Sequence, residues 1–129
     1  MIPTRGLTHI ALPVADLDRS IGFYSALLGS RVLLHDDRVA ELGTPGGHDV
    51  ITLEKRPAGQ VQPLPTHIGF RLLEPVAKEE LAAAVERAGG TVKEQGEFGP
   101  GMPYVFALDP DGHEIEIWFE PVNEARPEA

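Results

Sequence analysis

The sequence predicts a single-domain α+β fold built from two βαβββ modules, on three observations. Thr-His-Ile occurs twice, at Thr8–Ile10 and Thr66–Ile68, each time opening a run that alternates apolar and polar residues. Each run is followed by an apolar stripe at helical spacing that stops at glycine. Each stripe is followed by three short strand-like runs divided by turn residues. The chain has 129 residues, which suits one domain.

The elements follow in order. In Leu7 to Val14, residues Thr8, Ile10, Leu12 and Val14 share one strand face, and Leu7, His9, Ala11 and Pro13 share the other. Asp16 or Asp18 caps a helix whose inner stripe is Leu17, Ile21, Tyr24 and Leu28, with Phe23 and Leu27 beside it. Gly29 supplies its left-handed stop. RVLLHDD, RVAELG and HDVITLEK are then three strands separated by Asp-Asp and Thr-Pro-Gly-Gly turns. The Pro- and Gly-rich RPAGQVQPLP is a connector.

The same order returns. THIGFRLL is a strand, and Pro75 suits the first turn of a helix carrying Ala77, Leu81, Ala84, Val85 and Ala88, which ends at Gly89-Gly90. TVKEQ, PYVFALD and HEIEIWFE complete the second module, the last two joined by Asp-Pro-Asp-Gly at 109–112. Module one therefore spans 5–56, the connector 57–64 and module two 65–121. The polar tail 122–129 is expected to fray.

Lys plus Arg number 11 and Asp plus Glu 20, a net charge of −9 that repels nucleic acid and anionic membrane surfaces. There is no cysteine, hence no disulfide framework and no thiolate metal site. With no leader-like start and no spanning apolar run, a cytoplasmic protein acting on a small molecule is expected.

Alternation identifies the informative face. On the first strand His9 lies opposite Ile10, Leu12 and Val14. On the fifth, His67, Gly69 and Arg71 lie opposite Ile68, Phe70 and Leu72. On the last, Glu114, Glu116, Trp118 and Glu120 lie opposite Ile115, Ile117 and Phe119. If the sheets curve around a shared cleft, two imidazoles and a carboxylate meet there, the ligand set of a 2-His-1-carboxylate metal site. Without cysteine the candidates are Fe, Mn, Zn, Co and Ni, and the spacing does not choose among them. The competing reading is plain: such alternation is also what the wet face of an edge strand looks like. His35, His48 and His113 adjoin turn residues and read as surface histidines.

THIALPVADLDRSIGFYSALLG, THIGF and FALDPDGHEIEIW resemble the vicinal oxygen chelate superfamily, which includes glyoxalase I, fosfomycin resistance enzymes, extradiol dioxygenases and bleomycin-binding proteins. The resemblance runs from about Leu7 to Glu120. It implies paired modules forming a U-shaped mixed sheet around a cleft, one divalent metal per site, and a homodimer. It places the metal ligands at His9, His67 and Glu116. The fourth ligand position of glyoxalase I falls on Thr52 or Ile51, neither acidic, and Glu54 is displaced from it by two residues. Ala11 stands where the fosfomycin enzymes carry a hydroxyl residue, and QGEFGPGMP lacks a counterpart of their potassium loop. Phe106 stands where extradiol dioxygenases carry a tyrosine, and no histidine falls between His67 and His113.

The expected function is metal-dependent lyase, isomerase, transferase or dioxygenase chemistry on a small substrate with vicinal oxygens. The alternative is a metal-free sequestering protein of the bleomycin-binding type, and retention of the full ligand set favours the enzyme. Glu54, Glu114 and Tyr104 are the candidate acid-base groups, with packing the preferred role of Tyr104. Arg71 and Trp118 are candidate substrate-binding residues. The loop Gln95–Pro103, rich in Gly and Pro, is expected to border the cleft.

Overall fold

The computed structural model describes residues 1–121, so the tail expected to fray lies outside the described residues. The element order is β1 (His9–Val14), α1 (Leu17–Leu28), β2 (Arg31–His35), β3 (Val39–Gly43), β4 (Val50–Lys55), β5 (His67–Arg71), α2 (Lys78–Arg87), β6 (Thr91–Glu97), β7 (Pro103–Leu108) and β8 (Glu114–Trp118). This is βαβββ twice, as the repeat predicts. The connector carries one turn of 3-10 helix, Ala58–Gln60.

Each module forms its own four-stranded mixed sheet, in the orders β1-β4-β3-β2 and β5-β8-β7-β6. The module's first strand runs parallel to its last, and the remaining pairs are antiparallel. The crossover helix makes the parallel pairing reachable, since two parallel neighbours cannot be joined by a tight turn.

Helix α1 begins where Asp16 accepts from the Arg19 amide at 3.0 Å and ends at Gly29 with φ of 67°. A non-glycine residue would be strained in that left-handed cap. Helix α2 begins at Lys78, later than Pro75 implied, after an extended Ala77 that lends no side-chain cap. Leu17, Phe23 and Tyr24 of α1 and Leu81 and Val85 of α2 are buried against Leu12, Val14, Leu53, Val105, Ile115 and Ile117 of the sheets. Burial of such a side chain contributes about 1.5–3 kcal/mol each.

The two modules lock together where the Asp-Pro-Asp-Gly turn meets α1. The Tyr24 hydroxyl donates to Asp109 at 2.7 Å. Asp111 accepts from the Ala15 amide at 3.0 Å, from Arg19 at 2.9 Å and from the Ser20 hydroxyl at 3.2 Å. His113 is fully buried, which corrects its reading as a surface residue. Its Nδ1 accepts from the Leu64 amide at 3.1 Å, so its Nε2 carries the proton and donates to the Pro13 carbonyl at 2.6 Å. Proximity to a turn suggested exposure, but this turn folds back under α1 instead of into water. His35 and His48 are exposed, as read.

Candidate functional site

The second module presents one face of a regular grid. Strand β5 pairs with β8 so that His67 faces Glu114, Gly69 faces Glu116 and Arg71 faces Trp118. Strand β8 pairs with β7 so that Glu114 faces Leu108, Glu116 faces Phe106 and Trp118 faces Tyr104. Ile115 and Ile117 are buried while Glu114, Glu116 and Trp118 are half-buried on the other side, so the alternation separates core from site as the sequence requires.

His67 stands between two carboxylates. Its Nε2 lies 3.2 Å from Glu116 Oε2 and its Nδ1 lies 3.4 Å from Glu114 Oε2. Lys93, on β6, pairs with the other oxygen of Glu114. The His67 side chain is 40% exposed and that of Glu116 14%, so a cation seated between them would be partly shielded yet reachable.

These donors fit two positions of the predicted metal site. Imidazole nitrogen and carboxylate oxygen approach each other closely enough to grip one ion, and neither is needed by the core. His9 is placed differently. It is exposed on β1, with Nδ1 against its neighbour's Thr8 hydroxyl at 3.0 Å. Among the described residues no three His, Asp or Glu side chains are arranged so that they could hold an ion within one chain. The structure pairs His67 with Glu116, while the His9 ring meets the Thr8 hydroxyl and makes no hydrogen bond or ion pair with either. His9 does border, with Gly69, a cavity of about 140 Å3 between the free edges of β1 and β5.

The other candidates are each engaged. Glu54 pairs with Arg56 at 3.2 Å on β4, the strand whose Thr52 occupies the fourth ligand position of glyoxalase I. Tyr104 donates its hydroxyl to Glu94 at 2.8 Å, and that bond pushes its pKa upward, so the phenol stays protonated at neutral pH. Arg71 pairs with Glu120 at 2.8 Å and lies 4.8 Å over the Trp118 ring. The sequence reading did not single out Phe98, which follows β6 and stacks on Tyr104 at 4.1 Å. Its only signal was position, inside the Gly- and Pro-rich loop expected to border the cleft.

This fold of two βαβββ modules agrees with the comparisons. The family model described as the Glyoxalase/Bleomycin resistance protein/Dioxygenase superfamily matches residues 6–117. The chain belongs to that superfamily. It is 33% identical over 126 residues to the uncharacterized protein PA2024 of Pseudomonas aeruginosa, covering 91% of this chain and 89% of that one. It is 33% identical over 120 residues to catechol-2,3-dioxygenase of Bacillus subtilis, covering 86% of this chain but only 41% of the dioxygenase. It is 32% identical over 117 residues to glutathione transferase FosA of Serratia marcescens, covering 88% and 79%. In structure it superposes on the fosfomycin resistance protein FosX of Mesorhizobium loti with a TM-score of 0.73 at 17% identity, covering 95% and 98%. Its curated relatives thus include enzymes named for more than one reaction class, a dioxygenase and a transferase. No helix among the described residues is long and apolar enough to cross a membrane.

Proposed function

We propose that this protein is a divalent-metal-dependent enzyme acting on a small substrate with neighbouring oxygens, with His67, Glu116 and His9 as the metal ligands. The observation that carries this reading is the His67–Glu116 pair, 3.2 Å apart on the open face of β5 and β8. The third ligand is His9 of a second copy, in a homodimer whose clefts are shared between chains. Its support is that His9 is exposed and unpaired with His67 or Glu116 in its own chain, while its strand and β5 both stand at the edges of their sheets. When bound, the ion would act as a Lewis acid toward the substrate's oxygens.

The chain's own residues supply orientation more than proton transfer. Glu114 spans His67 and Lys93, so it holds the imidazole in place. The Tyr104 phenol donates to Glu94 and, like any phenol at neutral pH, is protonated, so it is not a base. Arg71 and Trp118 flank the site as binding groups. Lyase, isomerase, transferase and dioxygenase chemistry are all compatible with such a centre. A cytoplasmic setting is consistent with the absence of cysteine.

Equilibrium dialysis against Mn(II), Zn(II) or Co(II) followed by elemental analysis tests the reading. About one metal per chain is expected in the wild type, and a loss of at least tenfold in affinity in His67→Ala and Glu116→Gln. Wild-type protein that retains no metal, or variants that both retain it, would refute it.

A further inference from the structure

The two modules end on equivalent strands that are finished differently. Strands β2 and β6 are each the outermost strand of their sheet, with a neighbour on one side only. Both carry a bulge at the same place, between Val32 and Leu34 in one and between Val92 and Glu94 in the other. Val32 pairs with Leu42 as Val92 pairs with Ala107, and Leu34 pairs with Glu41 as Glu94 pairs with Phe106. Leu33 therefore corresponds to Lys93, and Leu34 to Glu94.

An outermost strand leaves a row of backbone N–H and C=O groups unpaired, and proteins ordinarily guard such a row with charge, lysine above all. Strand β6 is guarded in this way by Lys93, Glu94 and Glu97. Strand β2 is not. Val32, Leu33 and Leu34 follow one another without a charge and are 46%, 59% and 48% exposed. One exposed leucine carries little meaning, but three large apolar residues in a row on an open edge form a template for another strand.

The charges at the two ends of the strand say which one. Arg31 opens β2 and forms no ion pair among the described residues. Asp36 follows its last residue, and one oxygen of Asp36 accepts from the amides of Arg38 and Val39 at 2.8 Å. Those bonds hold its carboxyl below the usual carboxylate range and leave the second oxygen open to a cation. When two β2 strands run antiparallel, the start of each lies against the end of the other. The apolar centres then coincide, and Arg31 of each copy meets Asp36 of the other. An acidic peptide would suit Arg31 and be repelled by Asp36, and a basic one the reverse. A second β2 satisfies both ends at once.

We infer that β2 is a docking edge for a second copy of this chain, through antiparallel β2–β2 pairing that joins the two first-module sheets into one continuous sheet. This edge is the far side of the sheet from β1, so the contact is separate from the proposed metal centre and needs no metal. It is small. Strand β2 has 5 residues, against roughly 20–30 residues a side in a standard interface, and a net charge of −9 on each copy opposes approach. The pairing is therefore weak and reversible.

Analytical ultracentrifugation of the full chain, metal-free and with Zn(II), tests the inference. From whatever species prevails in dilute solution the mass should double, with a midpoint of roughly 10–100 µM. Over the same range hydrogen exchange should show the amides of residues 31–35 gaining protection while those of β6, residues 91–97, do not. Leu33→Lys/Leu34→Glu, which writes the guarding pair of β6 into β2, should abolish both the doubling and the protection and leave the dilute species and its thermal melt as they were. Arg31→Glu should raise the midpoint about fivefold or more. Leu33→Lys and Leu33→Glu should each fail to associate alone and should pair when mixed, because position 33 lies at the centre of the antiparallel contact. A wild-type mass that stays constant to about 500 µM, a doubling that survives Leu33→Lys/Leu34→Glu, or protection that rises on β6 instead would overturn the docking edge. His67→Ala should still double, so loss of the metal centre and loss of this contact are told apart.

Discussion

Tyr24→Phe removes one hydroxyl and almost nothing else, which makes it the sharpest probe of how the modules are joined. Tyr24 is fully buried and Asp109 is 4% exposed, and the hydroxyl donates to the carboxylate at 2.7 Å. The other Asp109 oxygen already accepts from the amides of Asp111 and His113 at 2.9 and 3.0 Å. Loss of the hydroxyl leaves one buried carboxylate oxygen without a donor, at a cost of about 2–3 kcal/mol. Unfolding entropy of about 2.1 cal/mol/K per residue gives roughly 0.27 kcal/mol/K for a chain of 129 residues. The expected drop in Tm is therefore about 7–11 °C, with the urea m-value unchanged.

The pH dependence gives an independent check. Burial, reinforced by the Asp109 charge and hydrogen bond, holds the Tyr24 pKa well above the ordinary phenol value. Below about pH 10 both folded and unfolded Tyr24 keep the proton. Above it the unfolded chain releases a proton that the folded chain retains, so stability falls as pH rises, at up to about 1.4 kcal/mol per pH unit. Tyr24→Phe lacks this loss, so the gap between the two proteins should narrow in alkali. Denaturant melts at pH 7 and pH 11 measure both effects. A penalty below about 0.5 kcal/mol at pH 7, or a gap that stays constant into alkali, would refute the reasoning.

Other outcomes follow from the same contacts. Gly90→Ala should cost about 1–3 kcal/mol by overpacking, because its Cβ would fall 2.6 Å from Phe23 and 2.8 Å from the Leu108 carbonyl; thermal melts measure it. His113→Leu should cost about 2–4 kcal/mol, since the Leu64 amide and the Pro13 carbonyl lose their partners; an equally stable variant would show that the buried imidazole tethers nothing. Glu114→Ala should weaken metal binding about tenfold or more by freeing His67, with Glu114→Gln intermediate; calorimetry with Zn(II) reads both.

Much of the architecture was legible because it rests on periodicity. The alternation in β1, β5 and β8 assigned core and open faces correctly, and Asp16 and Gly29 fixed the limits of α1. Pro75 misled because its fixed φ suits an extended lead-in as well as a helical turn, and the helix waited until Lys78. His113 misled because its neighbours are turn residues while its partners, Leu64 and Pro13, are distant in sequence. Within the site, Gly69, Glu116 and Trp118 were visible as one face. What alternation could not convey was the register and rotamers of paired strands, which let Glu114 and Glu116 bracket His67 at 3.4 and 3.2 Å. Those depend on which strand pairs with which and in what register, which no local pattern encodes.

The shared metal centre is tested most directly by complementation. His9→Ala and His67→Ala are prepared separately, mixed, unfolded and refolded together, and their tightly bound Zn(II) is counted. A site built across two copies predicts that each variant alone is metal-poor, while each mixed dimer regains one intact site, roughly one Zn(II) per four chains at random pairing. A mixture as empty as its components would contradict the shared site, and wild-type binding left unharmed by either substitution would contradict the centre itself.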